Sequence, residues 1–292
     1  MSRYLQGAAL IFASAFGFGL MPIFALYAYR CGVNVPTLLF FRFGMAALIL
    51  FLYIKLNGLE WRMPRRELIG VAFLGMVLYT LQSTLYFSAV QYIPASLAAL
   101  ILYVYPVLVA FLAVLTEHEP LSWQTMAPTL ISLLGVALVL GTPLEKPDLF
   151  GLLLAFGAAV VYSVYIILGR RIAAHVPPLL ASATISAFAA LSFLIYGGST
   201  GTLQFALPGD AWLVVLGVVL FSTILAMGAF FAGIDRIGST RASILSTIEP
   251  VITIAFSVAL FQEKMSWLQG IGALLILTGT ILVIGGRGKQ RT

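Results

Sequence analysis

The chain of 292 residues is 61% hydrophobic and 9% charged, with a mean hydropathy of +1.07. A soluble domain carries about 25% charged residues, so this chain cannot cover a water-facing surface, and a water-soluble enzyme is excluded. Its net charge of +6 sits at the ends of apolar runs rather than along one face, which argues against nucleic acid, and its one cysteine, Cys31, leaves no intrachain disulfide.

Cutting at charges and Pro/Gly clusters gives ten apolar segments near the length of a bilayer-spanning helix, over 5–29, 36–56, 67–89, 95–116, 123–141, 149–169, 177–197, 211–233, 240–261 and 266–286. The Ala13 to Ala15 triplet has the form of a signal-peptidase site, but the apolar run continues to Tyr29, so the first segment is read as an uncleaved helix. Basic residues mark cytoplasmic loops. With the N-terminus inside, Arg3, Lys55, Arg62, Arg65, Arg66, Arg170, Arg171, Arg236, Arg241, Arg287, Lys289 and Arg291 fall on the cytoplasmic side, against Arg30, Lys146 and Lys264 outside. Both termini are therefore expected in the cytoplasm, as an even number of spans requires.

Shifting the sequence by 144 residues aligns Tyr86 to Gly141 with Phe230 to Gly285, and fifteen of the 56 pairs are identical without a gap. The match places Pro106 on Pro250, Glu119 on Glu263, Ser122 and Trp123 on Ser266 and Trp267, and Gly135 on Gly279. The chain thus reads as a tandem repeat of five helices, over 1–142 and 149–286, with a basic tail at 287–292. Because five is odd, the second copy enters the membrane from the opposite side. Such inverted repeats build alternating access around a site between the copies.

These residues carry a resemblance. Pro36 to Arg42 as P-x5-R, YFSAVQYIPAS leading to YP, E-x2-SW in each half, IEPV and GIGALLILTGTILV together resemble the EamA domain of the drug/metabolite transporter superfamily, in two copies over nearly the whole chain. Within it, length and aromatic content are most similar to the YddG-type amino-acid exporters. The resemblance implies an all-α, ten-helix carrier of small metabolites, typically an exporter in the bacterial inner membrane, with its cavity lined by helices 1, 3, 4, 6, 8 and 9 and helices 5 and 10 at the periphery.

Polar side chains inside spans mark a candidate cavity, because a side chain facing lipid gains nothing from a hydroxyl or amide. Tyr79, Gln82, Ser83 and Tyr86 share one face of the third helix by their spacing. Tyr103 and Tyr105 precede Pro106, and Tyr162, Ser163 and Tyr165 lie in the sixth helix. Phenols offer an apolar body and a polar tip, suited to a substrate with an apolar side chain. The bland alternative for such residues is helix-to-helix hydrogen bonding.

Pro106 and Pro250 each remove a backbone bond, to the carbonyls of Leu102 and Ser246, and are candidate hinges. Glu249 shares a polar stripe with Ser243, Ser246, Thr253 and Ser257, and two readings stand: a proton-coupling or substrate-ammonium group, or an acid held by those hydroxyls to fix the kink. Arg42, about two turns inside the second segment, is expected to snorkel outward, with a substrate-carboxylate or Glu249 partnership as the alternative. Gly272, Gly279 and Gly286 form a smooth strip for close helix packing, within or between protomers. Two histidines at helix ends and the absence of metalloprotease or nucleophile-elbow motifs argue against an enzyme, a metal or a cofactor. The expected substrate is a neutral amino acid, aromatic or otherwise apolar. The alternatives are nucleosides, lipophilic cations, or a channel in place of a carrier. Besides substrate, the expected partner is membrane lipid.

Overall fold

A computed structural model describes residues 3–89, 92–93, 98, 101–117, 123–140, 148–261 and 266–285. The described residues form helices and no strands. In chain order these are α1 (Arg3–Gly19), α2 (Met21–Arg30), α3 (Val35–Leu56), α4 (Arg65–Phe73), α5 (Thr80–Ala89), α6 (Tyr105–Glu117), α7 (Trp123–Leu140), α8 (Leu149–Ala173), α9 (Pro178–Ser199), α10 (Gly209–Val219), α11 (Ala226–Ile237), α12 (Ser239–Ser246), α13 (Glu249–Phe261) and α14 (Trp267–Gly285). The α4 to α5 junction, Leu74–Tyr79, and the α10 to α11 junction, Leu220–Leu225, are each one π-helical turn, so both composite helices continue without a gap. Among the described residues, five helices are long and apolar enough to cross a membrane: Val35–Leu56, Arg65–Tyr86, Leu149–Ala173, Pro178–Ser199 and Gly209–Ile237. Three shorter apolar helices, Tyr105–Thr116, Met126–Leu138 and Trp267–Leu282, stand beside them.

The two halves meet by reciprocal contacts. A Cβ added at Gly135 of α7 would lie 2.6 Å from the Gly272 carbonyl oxygen and 2.8 Å from Ile276, and one at Gly279 of α14 would lie 2.7 Å from the Pro128 carbonyl oxygen and against Ser132. Gly279, Gly272 and Ile276 are the repeat mates of Gly135, Pro128 and Ser132, so one contact is read twice. Partner numbers fall as residue numbers rise, so α7 and α14 run antiparallel. The same reciprocity pairs Gly7 of α1 with Ile237 and Arg236, and Gly151 of α8 with Ile93 and Tyr92. Two copies of one unit, turned over relative to each other, account for both sets. The glycine strip of α14 therefore packs within the protein against α7, while Gly286 lies outside the described residues.

Where the sequence suggests continuous helices over 95–116 and 240–261, the structure has breaks at equivalent residues. Tyr103 and Val104 form a turn before α6, and Thr247 and Ile248 form one before α13. Val104 N bonds to the Ile101 carbonyl and Ile248 N to that of Leu245, three residues back in each case. Pro106 and Pro250 become the second residues of new helices, where a missing N–H costs nothing. The segment over 5–29 is also divided, at Leu20, with Pro22 in the first turn of α2. Its repeat counterpart α8 runs unbroken over 25 residues, so this break belongs to the first half alone.

Candidate functional site

The three breaks converge. Thr253 of α13 donates its hydroxyl to the Gly19 carbonyl at 2.7 Å and to the Glu249 carbonyl at 3.1 Å. Ser222, in the second π turn, donates to the Gly17 carbonyl at 2.7 Å. Hydroxyls from the other half thus satisfy carbonyls around the break that ends α1, where an unpaired carbonyl in hydrocarbon would cost several kcal/mol. Gly19 allows a close approach: a Cβ there would lie 3.0 Å from the Glu249 carbonyl oxygen and from Ile252, so any side chain would push α13 outward.

Arg42 does not snorkel. It is 3% exposed, and its guanidinium reaches across the interface between the halves. Nε donates to Thr223 Oγ1 at 2.9 Å, Nη2 to the Ser222 carbonyl at 3.0 Å and to Tyr79 Oη at 3.4 Å, and Nη1 to Met21 Sδ at 2.9 Å. Tyr79 closes the first π turn, and Ser222 and Thr223 lie in the second, so one side chain ties both together. A π turn misaligns the helical ladder and leaves carbonyls for outside donors, and the fork of a guanidinium serves several at once. The guanidinium also lies 4.7 Å from the Phe43 ring centre. Among the described residues no carboxylate pairs with Arg42.

From Tyr79 a row of phenols runs to Glu249. Ring centres are 5.1 Å apart for Tyr79 and Tyr165, 6.1 Å for Tyr165 and Tyr162, 4.8 Å for Tyr162 and Tyr105, and 6.2 Å for Tyr105 and Tyr103. Tyr103 donates its hydroxyl to Glu249 Oε2 at 3.5 Å. Tyr105 donates to the Ser243 carbonyl at 3.3 Å, and its own carbonyl accepts from Ser163 at 3.3 Å. One row therefore joins a buried cation to a half-buried carboxylate, through the first π turn, α8, α6 and both matched breaks.

The structure changes the surroundings expected of Glu249. Neither Ser246 nor Thr253 reaches its carboxylate: Thr253 bonds backbone carbonyls, and Ser246 Oγ is buried without a hydrogen bond. Ser243 donates to the Thr240 carbonyl, and the Ser257 side chain lies outside the described residues. The carboxylate instead accepts from Tyr103, which lies in the matched break of the first half. The stripe on the third helix makes different bonds along its length: Tyr79 accepts from Arg42, whereas Gln82 accepts from its neighbour Ser83 at 3.4 Å. Tyr86, partly buried on α5, packs against the small cluster of Ala89, Ile93, Ala98 and Ala155.

Sequence reasoning missed the helix break at Leu20 and both π turns. The first had a signal in Gly17, Gly19 and Pro22; a π turn has none that a single sequence shows.

Comparison with known proteins bears on what this arrangement is. The uncharacterized transporter YyaM of Bacillus subtilis is 24% identical over 90% of this chain and 88% of its own length. The threonine/homoserine exporter RhtA of Escherichia coli K12 is 24% identical over 88% of this chain and 85% of its own length. A solved crystal structure, also 24% identical, superposes with a TM-score of 0.78 over 97% of both chains, which shows the shared fold. The EamA-like transporter family model matches residues 5–141 and again 149–285. Two matches that together span nearly the whole chain place the protein in the EamA-like transporter family, as a membrane protein built from two copies of the family unit.

Proposed function

We propose that the protein is a secondary carrier that exports neutral amino acids with aromatic or otherwise apolar side chains across the bacterial inner membrane by alternating access. The observation that carries this reading is the row of phenols bounded by Arg42 and Glu249 at the meeting of the matched helix breaks. A zwitterion brings one carboxylate and one ammonium close together, so either end of the row can meet one of them, Arg42 the carboxylate or Glu249 the ammonium, with aromatic surface beside it for an apolar side chain. A sugar phosphate or nucleotide would need several cations, and among the described residues the row holds Arg42 alone. The relative named as a threonine/homoserine exporter supports an amino-acid substrate and outward direction.

In this reading the chain crosses the membrane ten times in two inverted halves, both termini lie in the cytoplasm, and positions 146 and 264 face outward. The substrate-contact set is Tyr79, Tyr103, Tyr162, Tyr165 and Ser246, with Gln82, Ser83 and Tyr86 on the approach. Glu249 receives the substrate ammonium or a proton, and the breaks before Pro106 and Pro250 are the bending points. Cells that overproduce the protein should resist inhibitory analogues of aromatic amino acids and accumulate less of the labelled parent compounds. Unchanged resistance and accumulation across the neutral amino acids, at verified membrane expression, would remove the substrate assignment.

A further inference from the structure

The ends of the α3 and α9 pair are equivalent in backbone and opposite in state. Both helices end alike, with left-handed Gly58 and Gly201 after the last turn, and Leu59 N bonds to the Ile54 carbonyl as Thr202 N bonds to that of Gly197. This register places Asn34, Thr37 and Thr202 on Pro177, Leu180 and Leu59.

At the first end, polar groups close the gap between the halves. Asn34 donates Nδ2 to the Thr202 carbonyl at 2.7 Å, Gln204 N donates to Thr37 Oγ1 at 2.9 Å, and Asn34 N donates to Gln204 Oε1 at 3.3 Å. Thr37 is fully buried under this clasp, and Phe205 packs across Phe40 and Phe41 beside it. At the other end the equivalent Pro177, Leu180 and Leu59 make no such bonds and instead line a cavity of ≈ 580 Å³, which reaches Ile224 and Gly228 of the second π turn and α11. Ile224 follows Thr223, the residue that holds Arg42. The cavity therefore touches the same π turn that supplies Ser222 and Thr223 to Arg42.

We infer that the Asn34, Thr37, Thr202 and Gln204 clasp is the outer gate of the carrier, held shut by hydrogen bonds, and that the apolar cavity is its inverted counterpart, the open inner gate. The inference rests on the proposed carrier function and topology. The chemistry explains why the two ends differ. Hydrogen bonds make a latch that holds while the inner side fills, whereas the mostly apolar mouth, which Glu60 also lines, has no such latch to break when it opens. For an exporter, a latched outer end and a bare inner mouth make the inward-open state the resting one.

Two measurements test this, both with Cys31→Ser. First, an Asn34→Cys/Thr202→Cys pair is oxidised to a disulfide in proteoliposomes. Amino-acid exchange should stop and return on reduction, while a third substitution, Ala232→Cys on the cavity wall, stays open to thiol reagents from the cytoplasmic side. Second, Thr37→Cys is labelled from outside in intact cells with and without Asn34→Asp, a change that keeps the helix cap but loses the donor to Thr202. Labelling needs the clasp open, so Asn34→Asp should speed it about fivefold, the value of one hydrogen bond. Exchange that continues through the disulfide, or Thr37→Cys labelling indifferent to Asn34→Asp, overturns the gate. If no amino acid moves in any form but the labelling responds as stated, the gate stands and the substrate assignment falls.

Discussion

Gly135→Ala tests the reciprocal packing of α7 on α14 with one methyl group. The added carbon would sit 2.6 Å from the Gly272 carbonyl oxygen and 2.8 Å from Ile276 N, about 0.8 Å and 0.6 Å inside ordinary 3.4 Å contact. Both obstacles are backbone, so no rotamer change relieves them and α14 must move away bodily. Overpacking of this kind costs about 1–3 kcal/mol, or a fall of about 2–12 °C in Tm. Gly44→Ala is the control: its nearest neighbour would be Ala190 Cβ at 3.8 Å, so the better helix propensity of alanine should leave Tm level or raise it. Gly279→Ala meets the same interface from the other side. One displacement of α14 relieves both clashes, and the double variant should lose less than the sum of the two singles. Thermal unfolding of the purified protein in one detergent, followed by loss of the monodisperse peak, reads all four. A Gly135→Ala protein as stable as the parent, or a fully additive double, would refute the close antiparallel contact and with it the two-fold relation of the halves.

Glu249→Gln should keep the bond from Tyr103 and substrate exchange within about threefold of wild type if Glu249 carries a proton, while the response of net flux to an imposed pH gradient disappears. If Glu249 binds the substrate ammonium, the same variant should raise KM at least tenfold; an unchanged KM and an unchanged gradient response together would deny it both roles. Arg42→Lys keeps the charge but cannot serve Thr223, Ser222, Tyr79 and Met21 together, and should reduce flux tenfold or more at equal folded yield, as measured by vesicle exchange. Thr253→Val leaves the Gly19 carbonyl short of its donor and should lower stability by about 0.6–2 kcal/mol, read as a fall in Tm that is absent from Thr278→Val on the outer face of α14.

The sequence carried much of the architecture because duplication leaves a trace. Fifteen identities at a constant offset locate the equivalent prolines, and the helix breaks fall one turn ahead of both. Glycines at matched positions pointed to close packing, and the partners proved to be each other's helices. Less of the site was legible. Arg42 looked close enough to one membrane face to reach it, but the Ser222 carbonyl, offered by a π turn almost two hundred residues away, gives the guanidinium a better destination. Helical spacing put Ser246, Glu249 and Thr253 on one stripe, yet the helix is broken between the first two, and spacing holds only where a helix is continuous. The phenols were individually visible; their order from Tyr79 to Tyr103 is a property of three packed spans.

The central claim is that a zwitterionic amino acid binds between the inverted halves and is carried, not conducted. Counterflow in proteoliposomes tests it most directly: vesicles loaded with unlabelled phenylalanine, tyrosine, leucine or threonine are diluted into a trace of the labelled compound, for wild type and Tyr162→Ala. The account predicts transient, saturable accumulation of label driven by the unlabelled pool, strongest for the aromatic pair and reduced tenfold or more in Tyr162→Ala. Label that only equilibrates, without saturation or stimulation from the opposite side, would contradict a carrier, and accumulation indifferent to Tyr162→Ala would contradict this site.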